Sequence, residues 1–137
     1  MPASSRWWRW WFRLAVSAAA TLSATALARE TNTFSSGFNF AEATGEELFA
    51  NICQGCHMPD AGGAVGAGAY PSLTANKNLE ARGYPVYLVL NGRRAMPPLG
   101  EMMTDAQIAA VVNYLRTHFG NNYEDAVTPN EVRDARR

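Results

Sequence analysis

Two cysteines and two histidines are all that 137 residues contain. So few soft ligands exclude a framework of several disulfides, and a four-ligand zinc site made of Cys and His alone would have to use every one of them. Long apolar runs are also lacking. The stretch Leu14 to Leu27 falls short of the ~20 residues needed to span a bilayer. Neither sign of charge is in excess, with twelve Lys plus Arg against twelve Asp plus Glu. Internal repeats are absent, and no run alternates as a strand would, so the fold class read from the pattern is all-α with long loops. The length fits one compact domain.

What charge there is lies unevenly. Arg6, Arg9 and Arg13 form a positive start, Leu14 to Leu27 a small-residue apolar stretch, and Ala26-Leu27-Ala28 an A-x-A cleavage site. Residues 1–28 therefore read as an export signal, which implies a periplasmic mature protein. The rival reading is a retained anchor at the outer face of the inner membrane, because Trp7, Trp8, Trp10, Trp11 and Phe12 are interfacial aromatics. Without residues 1–28 the chain keeps nine Lys plus Arg against twelve Asp plus Glu, a formal charge of minus three. That balance suggests no nucleic-acid partner, and a membrane partner only if the first segment is retained.

Residues 29–43 are polar with three Phe and no period, a flexible lead-in. Thr44-Gly45-Glu46-Glu47 fits a capping box, which predicts a helix from Thr44 to about Cys56. Residues 58–78 are Gly- and Pro-rich without periodicity. A loop of that length in a compact domain calls for something to wrap. Short helices are expected over about Asn76 to Arg82 and Pro85 to Leu90, the latter stopped by Asn91-Gly92. Thr104-Asp105-Ala106-Gln107 is a second capping box. Ile108, Val111, Val112, Leu115 and Phe119 then recur on one helical face up to Gly120. The domain is thus read as 44–120, with 121–137 a polar C-terminal tail holding one or two turns of helix at most.

Cys53-Gln54-Gly55-Cys56-His57 carries the chemistry. Two thiols three apart, with an imidazole next to the second, form the C-x-x-C-H pattern through which haem is attached by its two vinyl groups while the His reaches the iron. The competing readings are a dithiol redox pair, a disulfide, or half of a zinc site. A thioredoxin-like pair would want a βαβ context, which the pattern lacks. A second axial ligand has to come from a distant segment, and Met58, Met96, Met102 and Met103 offer thioethers. Met58 adjoins His57 and cannot reach the opposite haem face, while Met102 and Met103 sit at the start of the last helix. Met96 lies in a Pro-flanked turn that can aim a side chain; alternatively it packs in the core. Arg93 and Arg94 precede that turn and could pair with haem propionates or stand as solvated cations. His118 reads as a surface residue favoured by the helix dipole rather than a ligand. Tyr70, Tyr84 and Tyr87 read as pocket or core aromatics.

From about Thr44 to Phe119 the chain resembles a class I monohaem c-type cytochrome. Gly45, Phe49 and Tyr114 stand where that family crosses its first and last helices, Pro71-Ser72-Leu73 matches its Pro-x-Leu segment, and Met96-Pro97 its Met-Pro turn. The resemblance implies a small cytochrome c-like fold, with three to five helices and long loops wrapped around one haem. It further implies haem c bound through Cys53 and Cys56, iron ligated by His57 and Met96, and the Pro71 carbonyl accepting a hydrogen bond from His57.

Such a protein is an electron carrier rather than an enzyme, passing single electrons between periplasmic redox proteins, from a dehydrogenase donor toward an oxidase or cytochrome acceptor. It could also be the cytochrome subunit of a dehydrogenase. The alternative is a haem peroxidase or gas sensor with a displaceable sixth ligand, which would want a distal acid or base.

Overall fold

The computed structural model describes residues 39–66 and 68–137. The expected export signal 1–28 and residues 29–38 of the expected lead-in lie outside the described residues. Helices dominate the rest: α1 (Gly45–Leu48), a π-helical segment (Phe49–Cys53), α2 (Gln54–His57), α3 (Gly83–Asn91), α4 (Asp105–Thr117) and α5 (Pro129–Ala135). Among the described residues no helix is long and apolar enough to cross a membrane.

Thr44 begins α1 as its residues dictate. Its hydroxyl accepts from the Glu47 amide, and the Glu47 carboxylate accepts from the Thr44 amide at 3.0 Å. Those backbone and side-chain hydrogen bonds from Thr44 hold the Glu47 carboxyl below its ordinary value. The helix does not run on uniformly to Cys56 as expected. It widens over Phe49–Cys53, where the Gln54 amide reaches back to the Phe49 carbonyl, and tightens again to end at His57. A single π turn accommodates one extra residue in the helix, a device frequent at functional sites.

α1 crosses α4 at close range. A Cβ on Gly45 would lie 2.3 Å from the Ala110 carbonyl oxygen and 2.6 Å from Tyr114 Cβ, so only glycine admits the contact. Phe49 packs beside it, with ring centroids 5.9 Å from Tyr114 and 4.8 Å from Phe119. Leu48, Ile108, Val111 and Val112 are fully buried here. Each such side chain contributes about 1.5–3 kcal/mol of apolar transfer.

α4 starts at the Thr104–Gln107 capping box but stops at Thr117, short of Gly120. His118 is extended, and Phe119 and Gly120 take φ of 56° and 78°, which reverses the chain. The expected helix at Asn76–Arg82 is only a 3-10 turn over Lys77–Leu79, capped by Asn76. The next helix begins earlier than Pro85, at Gly83, and stops at Asn91, where Gly92 takes φ of 67°. Within the long loop, Ala64–Val65 and Ala69–Tyr70 pair as a two-residue antiparallel hairpin, too short for any alternation to announce it.

Residues 121–137 are polar by composition yet firmly docked. Thr128 and Glu131 form a third capping box, Pro129 opens α5, and Val127 and Val132 are buried against the core. The Asn113 side chain pairs with both backbone groups of Val127, at 2.9 and 2.7 Å. Arg116 is buried on α4. It donates to the carbonyls of Leu79 (2.9 Å), Glu80 (3.2 Å) and Asp125, pairs with the Asp125 carboxylate, and lies 5.7 Å from the Tyr123 ring centroid. A buried guanidinium is tolerated because its donors are met.

Candidate haem attachment site

The π segment and α2 together present the sulfur groups. Cys53 is half-buried, Cys56 is exposed, and both are free thiols. Burial, with the neighbouring Cys56 thiol adding to it, pushes the Cys53 thiol up to about 11. His57 closes α2, and Met58 ends the helix sharply with φ of 65°.

His57 Nδ1 lies 3.0 Å from the Pro71 carbonyl oxygen. With Nδ1–H donating to that carbonyl, Nε2 carries the lone pair and the ring plane is fixed. Several contacts hold Pro71 in place. The Gly63 amide donates to the His57 carbonyl at 3.0 Å, and the Leu73 amide to the Ala61 carbonyl at 2.8 Å. Gly63 has φ of 72°, and a Cβ there would sit 2.3 Å from the Tyr70 carbonyl oxygen, so the two limbs of the loop meet backbone to backbone. Buried Asn121 donates to the Leu73 carbonyl at 2.9 Å from the far side. Nothing in the Gly120-Asn121-Asn122 run signals that role; it becomes visible only when the chain returns after α4.

Met96 stands in a second tight turn. Arg93 and Met96 exchange both backbone hydrogen bonds at 3.0 Å, and Arg94 between them takes φ of 54°. Gly92 admits the return of the chain: a Cβ there would lie 2.5 Å from the Met96 carbonyl oxygen. Arg93 Nη1 donates to the Tyr84 hydroxyl at 2.9 Å, a partner the sequence did not single out, and Arg94 is exposed. Cys53, Leu73 and Met96 are partly buried against one apolar cluster.

The other candidates flank α4. Met103 is buried at the start of α4, and the Met102 carbonyl accepts from the Phe40 amide at 3.3 Å. His118 stacks on Tyr114 with centroids 4.1 Å apart, its Nδ1 2.9 Å from the Tyr114 carbonyl oxygen. Among the described residues no three His, Cys, Asp or Glu side chains gather as a metal cluster.

Two cysteines across one turn of helix, an adjacent imidazole held through its Nδ1, and a thioether on a separate braced turn are the residue types that would hold haem c. The protein is similar to cytochrome c6 from Euglena gracilis, 32% identical over 80 residues that make up 56% of this chain and 91% of the relative. A family model described as cytochrome C oxidase, cbb3-type, subunit III matches residues 40–115. This span contains the thiols, His57, the Pro71 loop, the Met96 turn and the α1–α4 crossing. The chain is a member of the c-type monohaem cytochrome family.

Proposed function

We propose that the protein is an exported electron shuttle holding one haem c, attached through Cys53 and Cys56 and ligated by His57 and Met96. The cytochrome family implies covalently bound haem and electron transfer; the residues, the count and the route are this reading's own. Its domain spans 44–120, and residues 1–28 direct export to the periplasm and are removed there. The observation that carries it is the 3.0 Å contact between His57 Nδ1 and the Pro71 carbonyl beside two free thiols.

Haem c, when bound, supplies a one-electron couple at its iron. The chain's residues set the conditions for it. Cys53 and Cys56 fix the group covalently, so it cannot exchange. The Pro71 carbonyl holds the His57 ring and raises its basicity. Met96 offers a soft thioether that favours the reduced state and so raises the potential. Its turn, closed by the paired backbone groups of Arg93 and Met96, keeps that donor in place in both oxidation states. Arg93, with Tyr84, and Arg94 provide positive charge for the propionates. The donor is a periplasmic dehydrogenase and the acceptor an oxidase or another cytochrome.

A pyridine haemochrome spectrum combined with a redox titration tests the reading. One haem per chain, retained after denaturation, with a positive potential typical of His–Met ligation, is the expected result. Rapid carbon monoxide binding by the ferrous protein at neutral pH would overturn it in favour of an open-site enzyme or sensor.

A further inference from the structure

Arg136, next to the last residue, reaches the stretch of chain that carries Met96. Its Nε meets the Asp105 carboxylate at 2.6 Å, at the first residue of α4. Nη1 donates to the Gly100 carbonyl at 2.6 Å and Nη2 to the Met103 carbonyl at 2.7 Å. Each guanidinium nitrogen is therefore met by a group within residues 100–105, and the side chain is only 27% exposed. Charge-assisted bonds of this kind are about twice as strong as neutral ones.

The loop between α3 and α4 is anchored at both ends. Upstream, the Met96 turn is packed onto Gly92. Downstream, the Leu99 amide donates to the Val89 carbonyl at 2.9 Å and the Gly100 amide to the Leu90 carbonyl at 3.2 Å. Only Pro97 and Pro98 separate Met96 from that second anchor, and neither has an amide hydrogen to contribute. Arg136 takes the opposite face of the same residue: Gly100 gives its amide to α3 and its carbonyl to Arg136. A Cβ on Gly100 would lie 2.8 Å from the Leu90 carbonyl oxygen and 3.4 Å from Arg136 Nη1, so the turn is held without slack. Arg136 lies beyond the residues 40–115 that carry the family match.

We infer that Arg136 is a positioning residue for Met96: it pins the 100–105 turn and so fixes the length and direction of the short segment that presents the thioether. The inference rests on the proposal that Met96 ligates the iron. Its three contacts exist only while the turn is docked, so removing them raises the population of an undocked loop, from which the thioether is more easily displaced.

The test is imidazole titration of the ferric holoprotein, with the reduction potential measured alongside, for wild type, Met96→Ala, Arg136→Gln, Arg136→Lys and Arg82→Gln. Met96→Ala is expected to bind imidazole far more tightly than wild type. Arg136→Gln should bind it roughly three- to tenfold more tightly, the share of a few lost charged hydrogen bonds that reaches the ligand equilibrium, and at a lower potential. Arg136→Lys should fall between wild type and Arg136→Gln, and it carries the same comparison if Arg136→Gln does not accumulate. Arg82→Gln breaks the 2.9 Å pair with Glu131 at the other end of α5. It should lower the denaturation midpoint and leave affinity and potential unchanged. If Met96→Ala behaves as wild type, the ligand reading fails and this inference with it. If Met96→Ala tightens binding but the Arg136 variants do not, or if Arg82→Gln reproduces their change, Arg136 only stabilises the fold and the inference fails alone.

Discussion

The helical clasp and the attachment loops are built on opposite principles. Where α1 and α5 each pack on α4, Leu48, Ile108, Val111, Val112 and Val132 are all sealed from solvent, and even Arg116 has its donors met by carbonyls. Around Cys53 to His57, Pro71 and Met96, order comes from backbone pairs and from residues in the left-handed region. The difference teaches that the two regions are ordered by different means. Side-chain packing holds the clasp, while the loops are held by the path of the backbone.

The largest expected effect falls on the loop side. Replacing Cys53 and Cys56 together by Ala should abolish covalent attachment, so no haem stays with the polypeptide in a denaturing gel stained for haem. Because the loops depend on the group they wrap, the variant should also lose much of its helical circular dichroism at 37 °C. A variant that melted as the wild type does would mean that the clasp folds unaided.

Next in size is the clasp itself. Arg116→Ala would orphan carbonyls of Leu79, Glu80 and Asp125 and leave a cavity. A loss of roughly 3 kcal/mol or more in urea unfolding of the holoprotein is expected. The visible spectrum should be unchanged in the protein that remains folded. A spectral change of the size expected on removing Met96 would erase the distinction between the two regions.

The smallest effect is a pH dependence within the capping boxes. Glu47 in α1 and Glu131 in α5 are both held below the ordinary carboxylate range, first by backbone hydrogen bonds from Thr44 and Thr128. Hydrogen bonding from Arg116 lowers Asp125 in the same direction. A carboxylate depressed in the folded state contributes fully above its unfolded value, near pH 4, and that contribution is lost as pH falls through the folded value. The box at α4 uses Gln107, which does not titrate in this range. On acidification, the amide resonances of Thr44 and Thr128 should therefore move before global unfolding, and that of Thr104 should not.

What the sequence disclosed and what it hid divide along physical lines. Thr44 and Thr104 each precede Glu or Gln by three, and both boxes formed, because capping is decided within one turn. The face of α4 and the Asn91-Gly92 stop were legible for the same reason. The π widening at Phe49–Cys53 was not, since its side chains read as an ordinary helix. Nor was the docking of 121–137: two buried valines among charged residues leave no periodic trace, and the grip of Arg116, Arg136 and Asn121 runs through distant carbonyls. Within the site, the C-x-x-C-H run and the Met96 turn stood out by residue type. The Tyr84 partner of Arg93 and the limb-to-limb contact at Gly63 depend on where the chain returns.

The π segment also bears on how this part of the chain can change over generations. Deleting one residue from Phe49–Cys53 would restore ordinary winding, and because the widened turn already absorbs its extra residue, Cys56 and His57 would stay on nearly the same face of the helix axis. Substitution at exposed Asn51 leaves the winding untouched. Lineages carrying this protein should therefore tolerate both changes in composition across these positions and the loss of the one extra residue.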